Sequence, residues 1–145
     1  LDQVETRDNL RVVSDIGSRL PIYCTSQGKV FLAHMSRTRA EALLRAQHMT
    51  QFTPHTITDL TALMQEIDLC RTDGYAIENG EYKIGLRSIS APVYTVEGKA
   101  RYTVGVIGMF RSTRSDEFLA AVEQVCATAS MISTALGYRK TEELL

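Results

Sequence analysis

The sequence predicts an α+β domain in which helices pack against an antiparallel sheet. Two patterns carry that reading. Stretches with helical apolar spacing interleave with stretches that alternate apolar and polar residues. The alternating stretches gather between Tyr75 and Met109 and are joined by short glycine-containing connections, as in a meander rather than parallel crossovers. At 145 residues, 44% apolar and 23% charged, the chain suits one domain with a sizeable core. No internal repeat is visible.

The chain opens as LDQVETRDNL, without a methionine, in the manner of a piece of a larger protein. Leu1 and Val4 suit the end of a strand whose partner lies elsewhere. Leu10–Ile16 reads as a strand on its β-branched Val12 and Val13. Gly17, Ser18 and Arg19 make a turn, and Pro21 keeps the residue before it out of the α region, so Leu20–Tyr23 is extended. Thr25 or Ser26 then caps a helix from about Gln27 to Met35. Thr38 with Glu41 fits a capping box for a second helix ending near Ala46. Gln47–Thr58 is polar, contains Pro54 and reads as a mobile loop able to lie over a pocket. A third helix begins at Thr58 with Asp59 in its first turn. Its stripe is Leu60, Leu63, Met64, Ile67 and Cys70, and Gly74 is the left-handed residue that ends it.

The stretch Gly74–Val93 organises the rest. Tyr75–Glu78 is a strand, Glu78-Asn79-Gly80 a polar turn, and a second strand starts at Leu86. Leu86, Ser88 and Ser90 share one face of it; Arg87, Ile89 and Ala91 share the other. Small hydroxyls beside the Glu78 carboxylate suit one wall of a small-ligand site, although an ordinary strand pair with a charged turn accounts for the same residues. Tyr94–Lys99 reads as a hairpin connection. Ala100–Met109 alternates again, with Thr103, Gly105 and Ile107 on one face, and Gly105 and Gly108 permit close approach. Ser115 caps the last helix, with Asp116 and Glu117 in its first turn and Gly137 at its end. Phe118, Val122, Val125, Ala129, Ile132 and Leu136 form its apolar face, widened by Leu119 and Cys126. That face suits packing on the sheet; contact with a second subunit is the alternative.

A formal net charge of −1 provides no basic field to hold nucleic acid. The apolar runs read as too short for a membrane span, and no signal peptide is visible. Cys24, Cys70 and Cys126 match no zinc spacing and suit free thiols in a reducing compartment. There is no nucleophile elbow, zinc-protease motif or dinucleotide fingerprint. Cys24 as a nucleophile, or Glu78 with Glu81 as a carboxylate pair, has nothing in the sequence to position it, and a surface loop explains the two glutamates equally. The first turn after Thr25 offers backbone N–H groups and a positive dipole end to a small anion, with Lys29 adding charge nearby; a cap satisfied by its own side chain uses the same residues.

Three motifs go further. LPIYCTSQGKVFLA, the helix running into DGY, and EYKIGLRSISAPV, followed by a serine-capped helix ending LGYR, resemble the effector-binding domain of the IclR family of bacterial transcriptional regulators from about Leu10 to Arg139. The resemblance implies a GAF-like fold. It makes residues 1–145 a ligand-sensing domain that lacks its opening strands, with the N-terminal winged helix-turn-helix domain absent from this chain. It also implies a small-molecule effector, a homodimer or homotetramer, operator DNA bound only through the missing domain, a cytoplasmic location, and no cofactor, metal, catalysis or membrane partner. The family pocket falls on Ser26 and Gln27, whose backbone N–H groups meet the effector's carboxylate. It continues through Glu78, Leu86 and Ser88, the β-strand positions Gly105 and Ile107, and the apolar wall residue Val12. Gly105 and Ile107 replace polar positions of acid-binding members, which implies lost hydroxyl donors and open space beside Gly105, and argues against the smallest keto acids. A hydroxylated acid or sugar acid fits best. The competing expectations are an enzyme using Cys24 or Glu78, and a ligand-free assembly module with Tyr23, Phe31 or Tyr82 filling the pocket.

Overall fold

The computed structural model describes residues 2–7, 12 and 15–140. Within them run the helices α1 (Ser26–Ala33), α2 (Arg37–Arg45), α3 (Leu60–Asp73) and α4 (Asp116–Ala135), and the strands β1 (Ala76–Asn79), β2 (Arg87–Tyr94) and β3 (Ala100–Gly108). The strands form one antiparallel sheet in the order β1-β2-β3. Ala76 and Glu78 lie opposite Ser90 and Ser88, which in turn lie opposite Gly105 and Ile107. The fold is α+β, as the alternation and the helical stripes require.

β2 is central and covered on both faces. Its Ile89, Ala91 and Val93 pack with Phe118, Val125 and Ala129 of α4. Its Ser88 and Ser90 meet Ser26 of α1. A second apolar cluster, including Val30, Leu32, Leu44, Leu63 and Ile67, joins α1, α2 and α3. The sheet therefore lies between the α1–α3 layer and α4.

Local chemistry sets the helix ends. Thr25, Asp59 and Ser115 accept the N–H groups of Gly28, Ala62 and Phe118, and Gly74 closes α3 at φ 80°. α2 differs from the sequence reading. Its cap is Ser36, which accepts the Arg39 N–H at 3.3 Å, and Glu41 pairs with Arg45 instead of completing a box from Thr38. Arg71 of α3 closes the far end of α1 by donating to the carbonyls of Ala33 (2.8 Å) and Met35 (3.1 Å). Residues 2–6 form no strand and Val4 is exposed. Most of the expected Leu10–Ile16 strand lies outside the described residues; Val12 is half-buried and Ile16 sits in a turn.

α4 departs from the reading of short apolar runs. An 18-residue window of this 20-residue helix reaches a mean hydropathy of 1.3, and the helix is long and apolar enough by length and composition to cross a membrane. Here Phe118, Val125, Ala129 and Ser133 are buried, Cys126 is half-buried against the same core, and Leu119, Met131, Ile132 and Leu136 stay exposed.

Gly28 has a steric role. A Cβ there would lie 2.1 Å from the Ile22 carbonyl oxygen, so only glycine lets the Leu20–Tyr23 segment lie against α1. Gly28→Ala should therefore cost ~1–3 kcal/mol through overpacking, despite alanine's better helix propensity. A lowered urea midpoint checks this; a raised one would show that propensity outweighs the contact.

Candidate functional site

Ser26, Glu78 and Ser88, three of the residues expected at a ligand site, come together between α1 and the sheet. Ser26 opens α1 and is fully buried, as is Ser90. Their hydroxyls are 2.8 Å apart. The Ser88 hydroxyl lies 2.8 Å from Ser26 Oγ and 3.2 Å from Glu78 Oε2. Ser88 is placed to donate its one proton to Ser26 Oγ or to Glu78 Oε2, and either hydroxyl of the Ser26–Ser90 pair can be the donor. Gln27 flanks the cluster with its side-chain oxygen 3.4 Å from Ser26 Oγ. Thr25 takes the Gly28 N–H, while the Ser26 and Gln27 N–H groups have no acceptor among the described residues. They leave the positive end of α1 at the edge of the cluster.

The other expected residues are more dispersed. Ile107 and Gly105 lie across the ladder from Ser88 and Ser90, and both are exposed. There is no open space beside Gly105: a Cβ there would lie 2.4 Å from Ser90 Oγ and 2.5 Å from the Ile89 carbonyl oxygen. Val12 and Leu86 are half-buried and belong to neither apolar cluster. Tyr23 and Tyr82 pack around Phe52, and Tyr23 donates to the Thr50 carbonyl at 2.8 Å. A cavity of about 440 Å³ opens elsewhere, along β1 and α3, among residues that include Lys29, His55, Glu66 and Asn79. None of the expected site residues lines it.

Lys29 corrects a sequence expectation. It adds no charge at the start of α1 but runs, 2% exposed, toward the β1–β2 loop. Its ammonium donates to both oxygens of Glu81 (2.8 and 3.0 Å) and to the Ile77 carbonyl (3.1 Å), with Glu66 at 3.5 Å. Glu81 is therefore buried, not a surface-loop residue. Burial pushes its carboxyl above the usual range, more than Lys29 pulls it down, and Glu78 adds to the rise. Glu78 shapes the same loop, accepting the N–H groups of Glu81 (2.5 Å) and Tyr82 (3.2 Å) on Oε1. The Gln47–Thr58 loop is fastened rather than loose. Thr53 and Thr56, both buried, donate to the carbonyls of Gly80 and Glu81, each at 2.6 Å.

Cys24 is fully buried, and burial together with the nearby Glu81 and Glu78 pushes its thiol up to about 12. A nucleophile needs the thiolate, so this site does not activate one. Among the described residues no group of three metal-ligating side chains is arranged to hold an ion.

With this geometry in place, comparison defines the class. The family model "Bacterial transcriptional regulator IclR C-terminal" matches residues 1–134, and the chain belongs to that family. The family is one of transcriptional regulators, not enzymes. Among curated relatives, the HTH-type transcriptional repressor AllR of Escherichia coli K12 is 29% identical over 139 residues, which cover 96% of this chain and 51% of the repressor. The chain thus spans about half the length of the curated relatives it matches. A solved transcriptional regulator from Rhodococcus sp. RHA1 superposes with a TM-score of 0.86 at 30% identity, over 92% of this chain and 55% of that one. The inducer-binding domain of PobR from Acinetobacter, solved as a double mutant with 3-hydroxybenzoic acid, gives 0.72 at 25% identity, over 83% of this chain and 69% of that one.

Thr53 and Thr56 were not anticipated by the sequence reading, and Ser90, Lys29 and Glu81 entered it only in the residue-by-residue reading, not among the family pocket positions. Ser90 was legible as a second small hydroxyl on the Leu86–Ser88 face, and nothing in the sequence marked Lys29 as buried.

Lys29→Met should cost ~3–5 kcal/mol by leaving Glu81 buried and unpaired, and adding Glu81→Leu should restore most of it. Urea titrations check this; an equal loss in single and double variants would remove the pair from the stabilising contacts. Cys24 supplies a pH test. Its folded form holds the proton to about 12, against ~8.5 for a free thiol. Its contribution to stability is complete below that lower value and is lost as pH rises between the two. Cys24→Ala should flatten this alkaline slope in pH-dependent melts, and native Cys24 should resist alkylation at pH 8 (~0.5 below the free-thiol value). Rapid alkylation of the folded protein would contradict the burial argument.

Proposed function

We propose that this chain is the effector-binding domain of a bacterial transcriptional regulator and that its ligand is a small hydroxylated carboxylic acid or sugar acid. The observation that carries the proposal is the buried Ser26–Ser88–Ser90–Glu78 cluster beside the N–H groups that open α1. The helix start favours a carboxylate. Glu78 and Ser88 offer an acceptor and a hydroxyl to the ligand's own hydroxyl groups. Gln27, Leu86, Ile107, Gly105 and Val12 complete the proposed surround. Ligand hydroxyls exchange with the serine contacts, so binding replaces hydrogen bonds already made rather than leaving buried groups unpaired. The PobR domain was solved with an aromatic hydroxy acid, which supports a carboxylic acid as ligand of this fold and not the choice of a sugar acid over an aromatic one.

In the full-length protein, an N-terminal winged helix-turn-helix domain meets operator DNA in the bacterial cytoplasm, and effector binding sets its affinity through differential contacts in two states. The working assembly is a homodimer or homotetramer. Exposed apolar side chains on and just after α4 (Leu119, Met131, Ile132, Leu136) and on and just after β3 (Tyr102, Val106, Met109) favour such association.

A thermal-shift panel of carboxylic acids, sugar acids and neutral sugars tests the ligand class. A ligand at a hundred times Kd adds ~2.7 kcal/mol of stability. For any hit, Glu78→Gln should weaken binding by ~1.5–3 kcal/mol, the worth of a hydrogen bond to a charged group, while its amide oxygen keeps the loop N–H contacts. Calorimetric titration checks this, and unchanged affinity would remove Glu78 from the site.

A further inference from the structure

We infer that the cavity along β1 and α3 is a second ligand site, separate from the serine cluster, which takes a small organic ammonium ion that also carries a carbonyl acceptor. The cavity holds about 440 Å³, a volume typical of small-molecule pockets. It opens where the sheet ends, since β1 is an edge strand paired only with β2. Ile57, Cys70, Tyr75 and Ala76 give it apolar walls. The inference goes beyond the effector reading and does not depend on it, because none of the expected effector positions lines this space.

Two kinds of polar group face the cavity unmatched. The first is a backbone donor. The Gly80 N–H bonds to the Leu86 carbonyl, so the alternation of an antiparallel ladder makes Glu78–Ser88 and Ala76–Ser90 the bonded pairs. Ile77 falls between them and turns both its backbone groups to the open edge. Its carbonyl takes the Lys29 ammonium at 3.1 Å, while its N–H has no acceptor among the described residues. A ligand carbonyl can fill that place.

The second is carboxylate charge. Glu66 and Asp73 both line the cavity, seven residues apart on one face of α3. Lys29 is the one lining cation of fixed charge, and Glu81 takes it at 2.8 Å. Glu66 keeps only a 3.5 Å contact with that same ammonium, and Asp73 has no ion pair or hydrogen bond among the described residues. Asp73 is also the last residue of α3, where the helix dipole disfavours a carboxylate and favours a cation. No three metal-ligating side chains gather there among the described residues, and the apolar walls suit the carbon body of an organic cation.

The test uses 5-aminopentanamide, which joins an ammonium to an amide carbonyl, with two controls: pentanamide lacks the ammonium and pentylamine lacks the carbonyl. Each is titrated into the chain at low ionic strength by calorimetry, and heteronuclear NMR follows the backbone amides. The probe is expected to bind ~10-fold more tightly than pentanamide and ~3-fold more tightly than pentylamine, the worth of a charged and of a neutral hydrogen bond. Its largest amide shift should fall at Ile77. Glu66→Gln combined with Asp73→Asn should weaken it ~10-fold, about 3-fold for each solvent-accessible carboxylate. Equal affinity of either control, full affinity in the double variant, shifts centred on Ser26 and Ser88 instead, or no binding of the probe would each overturn the inference and leave the effector reading standing. The shifts in the unaltered chain locate the site independently of the variants.

Discussion

A lysine ammonium held out of water is the constraint on which the rest of the structure depends. Lys29 is costly to bury, and the cost is offset only because Glu81 and the Ile77 carbonyl surround its three protons. Lys29 sits three residues after Ser26, so the two side chains share one face of α1. The contact that draws Lys29 onto the β1–β2 loop therefore also sets Ser26 against the serines of β2. Gly28, between them, leaves room for the Ile22 backbone on the neighbouring surface.

The loop that receives Lys29 is built from groups that would otherwise be expensive. Glu78 gathers the N–H groups of Glu81 and Tyr82 on one oxygen and faces the serines with the other. Thr53 and Thr56 supply donors to the loop carbonyls. The same carboxylate is thus part of the scaffold and part of the polar cluster. In the proposed effector reading, a ligand contact at Oε2 would act on a residue that already orders the loop receiving Lys29.

The two sides of the sheet divide the work. The α4 side is apolar, with Phe118 set edge-on to Phe110 and packed under Ile89 and Val93. The α1 side carries the hydroxyls and the carboxylate. β2, covered on both faces, holds these opposed environments in register through the period-two alternation of its side chains. A slip of one residue would exchange Ser88 and Ser90 for Ile89 and Ala91 and remove the polar cluster entirely.

Much of this was legible in the sequence, because caps, turns and strand faces arise from residues close together in the chain. Ser115 and Gly74 act on groups within one helical turn, and the alternation after Leu86 assigned Ser88 and Ser90 to one face, whereas Asp59, read as a first-turn residue, is the cap of a helix that starts at Leu60. The motifs were also enough to identify the family. The sequence reading put the α2 cap at Thr38, two residues late; the helix starts at Arg37 and Ser36 caps it. Tertiary structure alone decided what lies across a gap. Lys29 meets a partner 52 residues away, and the space expected beside Gly105 belongs to Ser90 on the next strand. Spacing reports which face a residue occupies; the group it meets there depends on how separate elements pack, and a lysine with no visible partner reads as exposed until that packing supplies one.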